Sequence, residues 1–271
     1  MTRFVHLTDL HVTDPERDDP QRLSDTSAML AQAVAEIGRM DPPPDFVAIP
    51  GDLTNHGDIE SYQCVQAALA PLSVPVVISL GNHDARESFR AVFDPDARRD
   101  ATPAFHDRVL AGLHVIALDS SVPGRVGGAI GAEQFGLLDV ALAAHPDLPK
   151  LILCHHPPAM PQGAGLAWES LTPEDSATLA AHLAGRNVIA ILSGHVHCNR
   201  VLHWHGIPVV IATGLHNTVD LLEPADMVMQ EGAGLAIAQV MPDALDIRFV
   251  PLAPRGAVLG RIGADRLRGF A

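Results

Sequence analysis

The stretch VIAILSGHVH, residues 188–197, joins a short apolar run to a glycine and two histidines. Val188 to Leu192 is a run of β-branched and other apolar side chains, which is typical of a buried strand. Histidine is the commonest side-chain ligand of transition metals, and His195 and His197 need an extended or tightly turned backbone to serve neighbouring ions. The stretch therefore predicts a buried strand that delivers metal ligands at its carboxyl end.

Four other polar clusters also come directly after predicted strands. They are Asp9-Leu10-His11, Gly51-Asp52, Gly81-Asn82-His83-Asp84 and His155-His156-Pro157-Pro158, after Phe4 to Thr8, Phe46 to Pro50, Val76 to Leu80 and Leu151 to Cys154. Taken singly, each cluster could be a polar turn or a helix cap. The carboxyl ends of strands in an open α/β sheet lie along one edge, so five such clusters favour one shared crevice. Their carboxylate, amide and imidazole groups suit Mn, Fe, Co or Zn.

The rest of the pattern indicates an α/β fold with a strand-rich second half. Amphipathic runs predict helices over Leu23 to Met40, Ile59 to Leu72, Glu87 to Phe93, Ala132 to His145 and Glu174 to Ala184. Further strands are predicted over Leu113 to Leu118, Arg200 to Trp204, Ile207 to Ala212, Leu235 to Val240 and Leu245 to Val250. Ala159 to Leu171 and His216 to Gly232 lack a firm pattern and are candidate lids. No linker interrupts the chain, which favours a single domain over residues 1–271.

Composition excludes several classes of protein. The apolar runs fall well short of the roughly 20 residues that cross a bilayer, and the N-terminus lacks the pattern of a signal peptide. We therefore expect a cytoplasmic protein without a membrane partner. Cys64, Cys154 and Cys198 form no C-x-x-C pair, so free thiols are expected. The formal net charge of −14, without a Lys/Arg-rich strip, argues against nucleic acid as a partner.

The order of the five clusters resembles the calcineurin-like metallophosphoesterases. The match runs from Asp9 to His197, about two thirds of the chain. Gly51 to Gly57, followed by Glu60 and Tyr62, together with the HHPP stretch from His155, is similar to the bacterial class III cyclic-nucleotide and glycerophosphodiester phosphodiesterase branch. The resemblance implies a four-layer αββα sandwich of two mixed sheets flanked by helices. The strand-rich part, about 199–271, would complete the second sheet and could form a lid or a dimer contact.

The resemblance also implies the ligands of two metal ions. The first ion would be held by Asp9, His11, Asp52 and His197, and the second by Asp52, Asn82, His155 and His195, so that Asp52 bridges the two. His155 is preferred to His156 because the family pattern places the ligand two residues before the first proline. An Fe/Mn pair is favoured, with Mn, Co or Zn as alternatives.

Further residues are assigned to the substrate side. The resemblance implies that His83 faces the substrate as a catalytic group and that Asp84 fixes its tautomer and orientation. His56 and His216 are candidate substrate contacts. For His56 the favoured interpretation is a solvated loop residue, whereas His216 lies where related phosphodiesterases place substrate-facing loops.

A phosphodiesterase that acts on a small diester is the favoured function. Two divalent ions carry four positive charges and the carboxylates of Asp9 and Asp52 return two, so the site attracts a bridging hydroxide and a phosphodiester. The substrate would be a 3′,5′-cyclic nucleotide or a glycerophosphodiester. A phosphomonoesterase or nuclease of the same superfamily is the alternative, and a non-catalytic nucleotide-binding module is the third hypothesis. Relatives form dimers or larger assemblies, so a homo-oligomer is expected.

Overall fold

The computed structural model describes residues 1–20, 22–95, 102–159, 170–223 and 227–254. Its helices and strands are, in chain order, β1 (Thr2–His6), α1 (Thr26–Gly38), β2 (Phe46–Pro50), α2 (Ile59–Leu69), β3 (Val76–Ser79), α3 (Arg86–Phe93), β4 (His106–Leu110), β5 (Leu113–Leu118), α4 (Ala132–Ala144), β6 (Lys150–Cys154), α5 (Pro173–Leu183), β7 (Val188–Ser193), β8 (Arg200–Trp204), β9 (Ile207–Ile211), β10 (Thr218–Val219), β11 (Met229–Gln230), β12 (Ala233–Met241) and β13 (Ala244–Ala253).

Two mixed sheets form the centre of the fold. The first has the order β13-β12-β1-β2-β3 and the second β4-β5-β6-β7-β9-β8, while β10 and β11 pair separately. Strands β1, β2 and β3 are parallel to one another, and so are β5, β6, β7 and β9. Because parallel strands end at the same edge, each sheet gathers the loops that follow its parallel strands on one side.

Apolar side chains divide into three layers of core. Phe4 and Phe46 stack with ring centroids 5.0 Å apart in the core between the two sheets. A second core lies between the first sheet and helices α1 and α2, and a third lies between the second sheet and helices α4 and α5. The order helix, sheet, sheet, helix confirms the αββα sandwich expected from the sequence.

Capping side chains explain where several helices begin. The Asp25 carboxylate accepts a hydrogen bond from the Ala28 backbone N–H at 3.0 Å, so α1 begins at Thr26 rather than at Leu23 as predicted. Asp58 caps α2 in the same way, and that helix ends at Leu69 rather than at Leu72. The predicted bounds of β2 and β5 match the structure.

Three strands were not predicted. Strand β4 carries mostly exposed side chains and lies at an edge of the second sheet, so it lacks the apolar alternation that identifies a half-buried strand. Strands β10 and β11 have two residues each, too few to show a period. They lie in the second candidate lid. Of the first candidate lid, residues 160–169 lie outside the described part of the chain.

The expectation that residues 199–271 complete the second sheet needs a correction. Strands β8 and β9 do join that sheet, but β12 pairs antiparallel with β1 and extends the first sheet together with β13. Alternation along a segment predicts a strand but does not name its neighbour, and this pairing joins opposite ends of the chain. Residues 255–271 lie outside the described part.

No helix among the described residues has both the length and the apolar content needed to span a bilayer. Cys64, Cys154 and Cys198 are free cysteines, as predicted.

Candidate metal centre

The loops that follow β1, β2, β3, β6 and β7 meet at one edge of the paired sheets. His155 follows β6 of the second sheet, and its Nδ1 donates a hydrogen bond at 2.8 Å to the carbonyl of Pro50, which ends β2 of the first sheet. A second link joins the loops after β7 and β1, where the His195 backbone N–H donates to the two carboxylate oxygens of Asp9 at 3.0 and 3.1 Å. The structure thus brings the five predicted clusters, from both sheets, into one site.

The backbone is in the left-handed region at five of the seven predicted ligands. The φ angles are 50° for Asp9, 43° for His11, 51° for Asp52, 74° for His195 and 48° for His197. Side-chain-bearing residues rarely adopt this region, and each such residue costs on the order of 1–3 kcal/mol. The fold therefore holds these particular side chains in place at the expense of backbone stability, which is typical of functional sites.

Close backbone approach explains two of the glycines. A Cβ on Gly194 would collide with the Thr8 hydroxyl and the Asp9 carboxylate, and a Cβ on Gly81 would collide with the Asp52 carboxylate. These glycines let the loops pass directly beside the two buried carboxylates.

We expect Gly194→Ala to destabilise the protein by about 1–3 kcal/mol, since the added methyl has no room beside Asp9. Urea unfolding followed by circular dichroism measures this change. Gly136, inside α4, is the matched control, because nothing lies within 4 Å of its added Cβ. Gly136→Ala should stabilise the protein by about 0.5–1 kcal/mol. Equal stability of the Gly194 variant and the native chain would contradict the close approach.

Two imidazole nitrogens face each other in the first half of the site. The Nδ1 atoms of His11 and His197 each donate to an amide oxygen, of Asn55 and Asn217 respectively, at 3.0 Å. Each neutral ring therefore carries its lone pair on Nε2, and these two Nε2 atoms lie 3.3 Å apart. Two lone pairs at this separation repel each other unless a cation lies between them, so the donor set fits a metal ion.

The orientation of the two amides follows from their other contacts. The Asn55 Nδ2 donates to the Asp19 carboxylate at 2.9 Å, and the Asn217 Nδ2 donates to the Thr218 carbonyl at 3.0 Å. The amide oxygens must then face the histidines. The sequence motifs did not assign an orienting role to either asparagine. Asn55 lies within the Gly51 to Gly57 motif, and Asn217 directly follows His216.

Asp52 lies between the two halves of the site. Its Oδ2 is 3.5 Å from the His11 Nε2 on one side and 3.2 Å from the His155 Nε2 on the other. The Asn82 Oδ1 also lies 3.2 Å from the His155 Nε2. A carboxylate in this position can contact ions on both sides, as the predicted bridging role requires.

Buried charge favours a cation here. Burial acts to raise the pKa of Asp52, but His155 and His11 outweigh it and hold that pKa well below its usual range. Burial likewise acts to lower the pKa of His155, yet the Asp52 carboxylate raises it to about 9. The space between these groups therefore attracts positive charge, whether a proton or a metal ion.

His156 differs from its neighbour in its contacts. Its Nε2 donates to the Val126 carbonyl at 2.9 Å, and its Nδ1 lies 2.8 Å from the Ser120 hydroxyl, which can donate to it. Both ring nitrogens are thus engaged by protein groups, whereas the His155 Nε2 faces Asp52 and Asn82. The geometry favours His155 over His156 as the ligand, in agreement with the family pattern.

The predicted role of Asp84 needs a correction. His83 donates from Nδ1 to the Asn55 carbonyl at 3.0 Å, so a backbone oxygen fixes its tautomer. The Asp84 carboxylate instead accepts from the backbone of Leu53 and Gly81 and from the Tyr62 hydroxyl. Burial and the charge of Asp52 raise the pKa of Asp84 to about 7. Adjacent residues point different ways from a turn, which spacing alone could not reveal.

The site opens into a cleft of about 720 Å³. Its floor is formed by polar groups of the predicted site, and its walls add apolar residues and Asn217. The described lining residues are His11, Pro20, Leu23, Asp52, Asn55, Asn82, His83, Val126, His195, Val196, His197, His216, Asn217, Val219, Met227 and Met229.

A family model described as calcineurin-like phosphoesterase matches residues 2–199. The chain belongs to this family. The resemblance seen in the motifs is thereby confirmed. A dimetal phosphatase from Danio rerio has the same fold, with a TM-score of 0.66 at 15% identity, over 92% of this chain and 95% of that one.

Two relatives of this phosphoesterase agree with the expected branch. The chain is 33% identical to a protein of Rhodococcus erythropolis described as a probable cyclic nucleotide phosphodiesterase, over 97% of this chain and 87% of the relative. It is 26% identical to a protein of Arcobacter nitrofigilis described as a probable glycerophosphodiester phosphodiesterase, over 80% of each chain.

The two further histidines of the phosphoesterase differ in position. His216 lines the cleft, and its ring centroid lies 4.6 Å from that of His11 and 5.8 Å from that of His197. His56 is not among the described residues that line the cleft, and its Nε2 lies 2.9 Å from the Asp19 carboxylate. The position of His216 is compatible with substrate contact, and that of His56 indicates a contact with the Asp19 carboxylate instead.

Proposed function

We propose that this phosphoesterase is a dinuclear-metal phosphodiesterase that hydrolyses small diesters, either 3′,5′-cyclic nucleotides or glycerophosphodiesters. The convergence of oriented imidazoles and buried carboxylates on both sides of Asp52 is the observation that supports it most. Diester substrates are supported by the descriptions of the relatives. A homo-oligomer and a cytoplasmic location remain predictions.

The seven predicted ligands divide between two ions. Asp9, His11, Asp52 and His197 would hold one ion, and Asp52, Asn82, His155 and His195 the other. Imidazole, carboxylate and amide donors without thiolate suit an Fe/Mn pair, or Mn, Co or Zn. When bound, such ions lower the pKa of water and neutralise charge on the phosphoryl oxygens. The chain contributes rigid donors, since Asn55 and Asn217 fix the tautomers of His11 and His197 before any ion binds.

His83 is the proposed catalytic group of the chain. Its Nδ1–H is committed to the Asn55 carbonyl, so Nε2 is the atom that exchanges protons with the substrate. Its ring lines the cleft beside His11, with centroids 4.6 Å apart. Protonated at Nε2, His83 would donate a proton to the leaving oxygen or stabilise charge on it.

The leaving group decides how large the effect of losing His83 is. We expect His83→Gln to lower kcat by about 10²–10³-fold for a diester with a poor alkoxide leaving group. The loss of kcat should be smaller by at least about tenfold for bis(p-nitrophenyl) phosphate, because nitrophenolate leaves without a proton. Steady-state kinetics with both substrates measures this, and the metal content should stay unchanged. Equal losses on both substrates would argue against proton donation by His83.

Turnover of a diester and a monoester tests the proposed function. With added manganese, the protein should hydrolyse bis(p-nitrophenyl) phosphate in preference to p-nitrophenyl phosphate. A clear preference for the monoester would replace the diesterase by a phosphomonoesterase. The net charge of −14, and a cleft whose described lining residues include no Lys or Arg, argue against a nuclease. Tight nucleotide binding without any turnover would indicate a binding module.

A further inference from the structure

The mouth of the cleft carries four half-exposed apolar side chains. We call them the apolar rim: Leu23 is 53% exposed, Val126 54%, Met227 54% and Met229 53%, and all four line the cleft. Exposed apolar side chains that line a concave site are typical of a ligand-binding surface. The rim stands above a floor of histidine, aspartate and asparagine side chains, so the two ends of the cleft differ in chemistry.

The rim offers apolar contact without charge. Among the described residues that line the cleft, none is Lys or Arg, and Asp52 is the one carboxylate. A substrate could not gain an ion pair with those walls for a second anionic group. Methionine sulfur is polarisable and makes favourable contacts with aromatic rings. The walls therefore suit an uncharged, flat, aromatic group better than a hydroxyl-rich aliphatic one.

Hydrogen bonds connect the rim to the metal centre. On one wall, the Val126 carbonyl accepts from the His156 Nε2 at 2.9 Å, next to the predicted ligand His155. On the other wall, Asn217 orients His197 and leads directly into β10, where Val219 pairs with Met229 of β11. One wall is thus connected to the neighbour of a predicted ligand, and the other to the residue that orients His197.

We propose that the apolar rim binds an aromatic group of the substrate, so that the site selects diesters bearing a nucleobase or aryl group over diesters of glycerol. The inference rests on the proposed function, which places the phosphate at the floor of the cleft. A cleft of about 720 Å³ holds a nucleotide-sized ligand. The sugar of a nucleotide would span from the floor to the rim, and the base would lie against Met227 and Met229.

Paired ligands isolate the contribution of the base. 5′-AMP and ribose 5-phosphate carry the same phosphate and sugar and differ in the base. Titration calorimetry on the manganese-loaded protein should give a 5′-AMP affinity that exceeds that of ribose 5-phosphate on the order of tenfold. The double variant Met227→Gln/Met229→Gln, which keeps chain length and removes apolar character, should reduce that ratio to about two or less. Its affinity for ribose 5-phosphate should stay unchanged.

Leu222→Gln is the matched control, because Leu222 is 92% exposed in the segment between β10 and β11 and does not line the cleft. It should keep the native ratio. Val126→Ser on the opposite wall is a second variant, which should lower the ratio even if the double variant folds poorly. Equal affinity of the native protein for the two ligands, binding of neither, or an unchanged ratio in both rim variants would overturn the proposal.

The binding ratio does not depend on turnover. Failure to hydrolyse bis(p-nitrophenyl) phosphate would overturn the proposed diesterase activity, but the ratio of the affinities for 5′-AMP and ribose 5-phosphate could still be measured. Diester turnover with an unchanged ratio in the rim variants would overturn the role of the rim and leave the diesterase intact. The two failures are therefore distinguishable.

Discussion

We expect Asp52→Asn to lower turnover of bis(p-nitrophenyl) phosphate by at least about 10³-fold and to leave the fold intact. Asparagine keeps the shape of the side chain and an oxygen that can still accept the His83 backbone N–H, which donates to Asp52 Oδ1 at 2.9 Å. It removes the negative charge that lies between His11 and His155. Both proposed ions share this carboxylate, so both should bind more weakly.

Two measurements and a control variant complete the test of Asp52. Metal analysis should give two ions per native chain and a clearly lower content in the variant, while circular dichroism should give the same spectrum. Asp147→Asn is the matched control, because it removes the same charge from an exposed position outside the described lining of the cleft. Near-native turnover of the Asp52 variant would contradict a bridging role.

The neighbours His155 and His156 should respond very differently to the same change. We expect His155→Gln to lower turnover by at least about 10³-fold with loss of one ion, since its Nε2 faces Asp52 and Asn82. His156→Gln should lower turnover by about 10–100-fold, the usual effect of changing a residue that lies next to the ligands. The His156 ring bonds Ser120 and Val126 and lies 4.4 Å from the ring of His195.

In kinetics and metal analysis the two variants serve as controls for each other, since both rings are fully buried and both replacements are identical. Raising the manganese concentration should restore much of the activity of the His156 variant and little of that of the His155 variant. The reverse order of losses would mean that the ligand at this strand end has been misassigned.

Much of the fold follows from local patterns in the sequence. Strands such as β2 and β5 are short apolar runs, and their bounds are the predicted ones. The convergence of Asp9, Asp52 and His155 follows from a rule about where parallel strands end, which needs no knowledge of the sheet order. Helix ends were less exact, because a cap such as Asp25 depends on one local hydrogen bond.

What sequence reasoning missed depends on long-range geometry. The pairing of β12 with β1 joins residues near opposite ends of the chain, and strand alternation carries no information about that partner. The orienting contacts of His83 and His197 come from Asn55 and Asn217, which no spacing rule connects to them. The family resemblance implied that Asp84 orients His83, but the turn directs the Asp84 carboxylate toward Leu53, Gly81 and Tyr62.

The rim illustrates a second limit. Met227 and Met229 lie in a segment without a helical or strand period, so their sequence positions indicated a lid but no chemistry. Pairing of β10 with β11 brings them over the floor of the cleft. The role in recognition that we propose for these side chains depends on that placement, which the sequence alone does not reveal.

The most direct test is a crystal structure of the manganese-loaded protein with anomalous diffraction data. Two anomalous peaks should lie about 3.5–4 Å apart, with the Asp52 carboxylate between them. His11 and His197 should contact one peak through Nε2, and His155 the other. A single peak, or two peaks that do not share Asp52, would contradict the dinuclear centre.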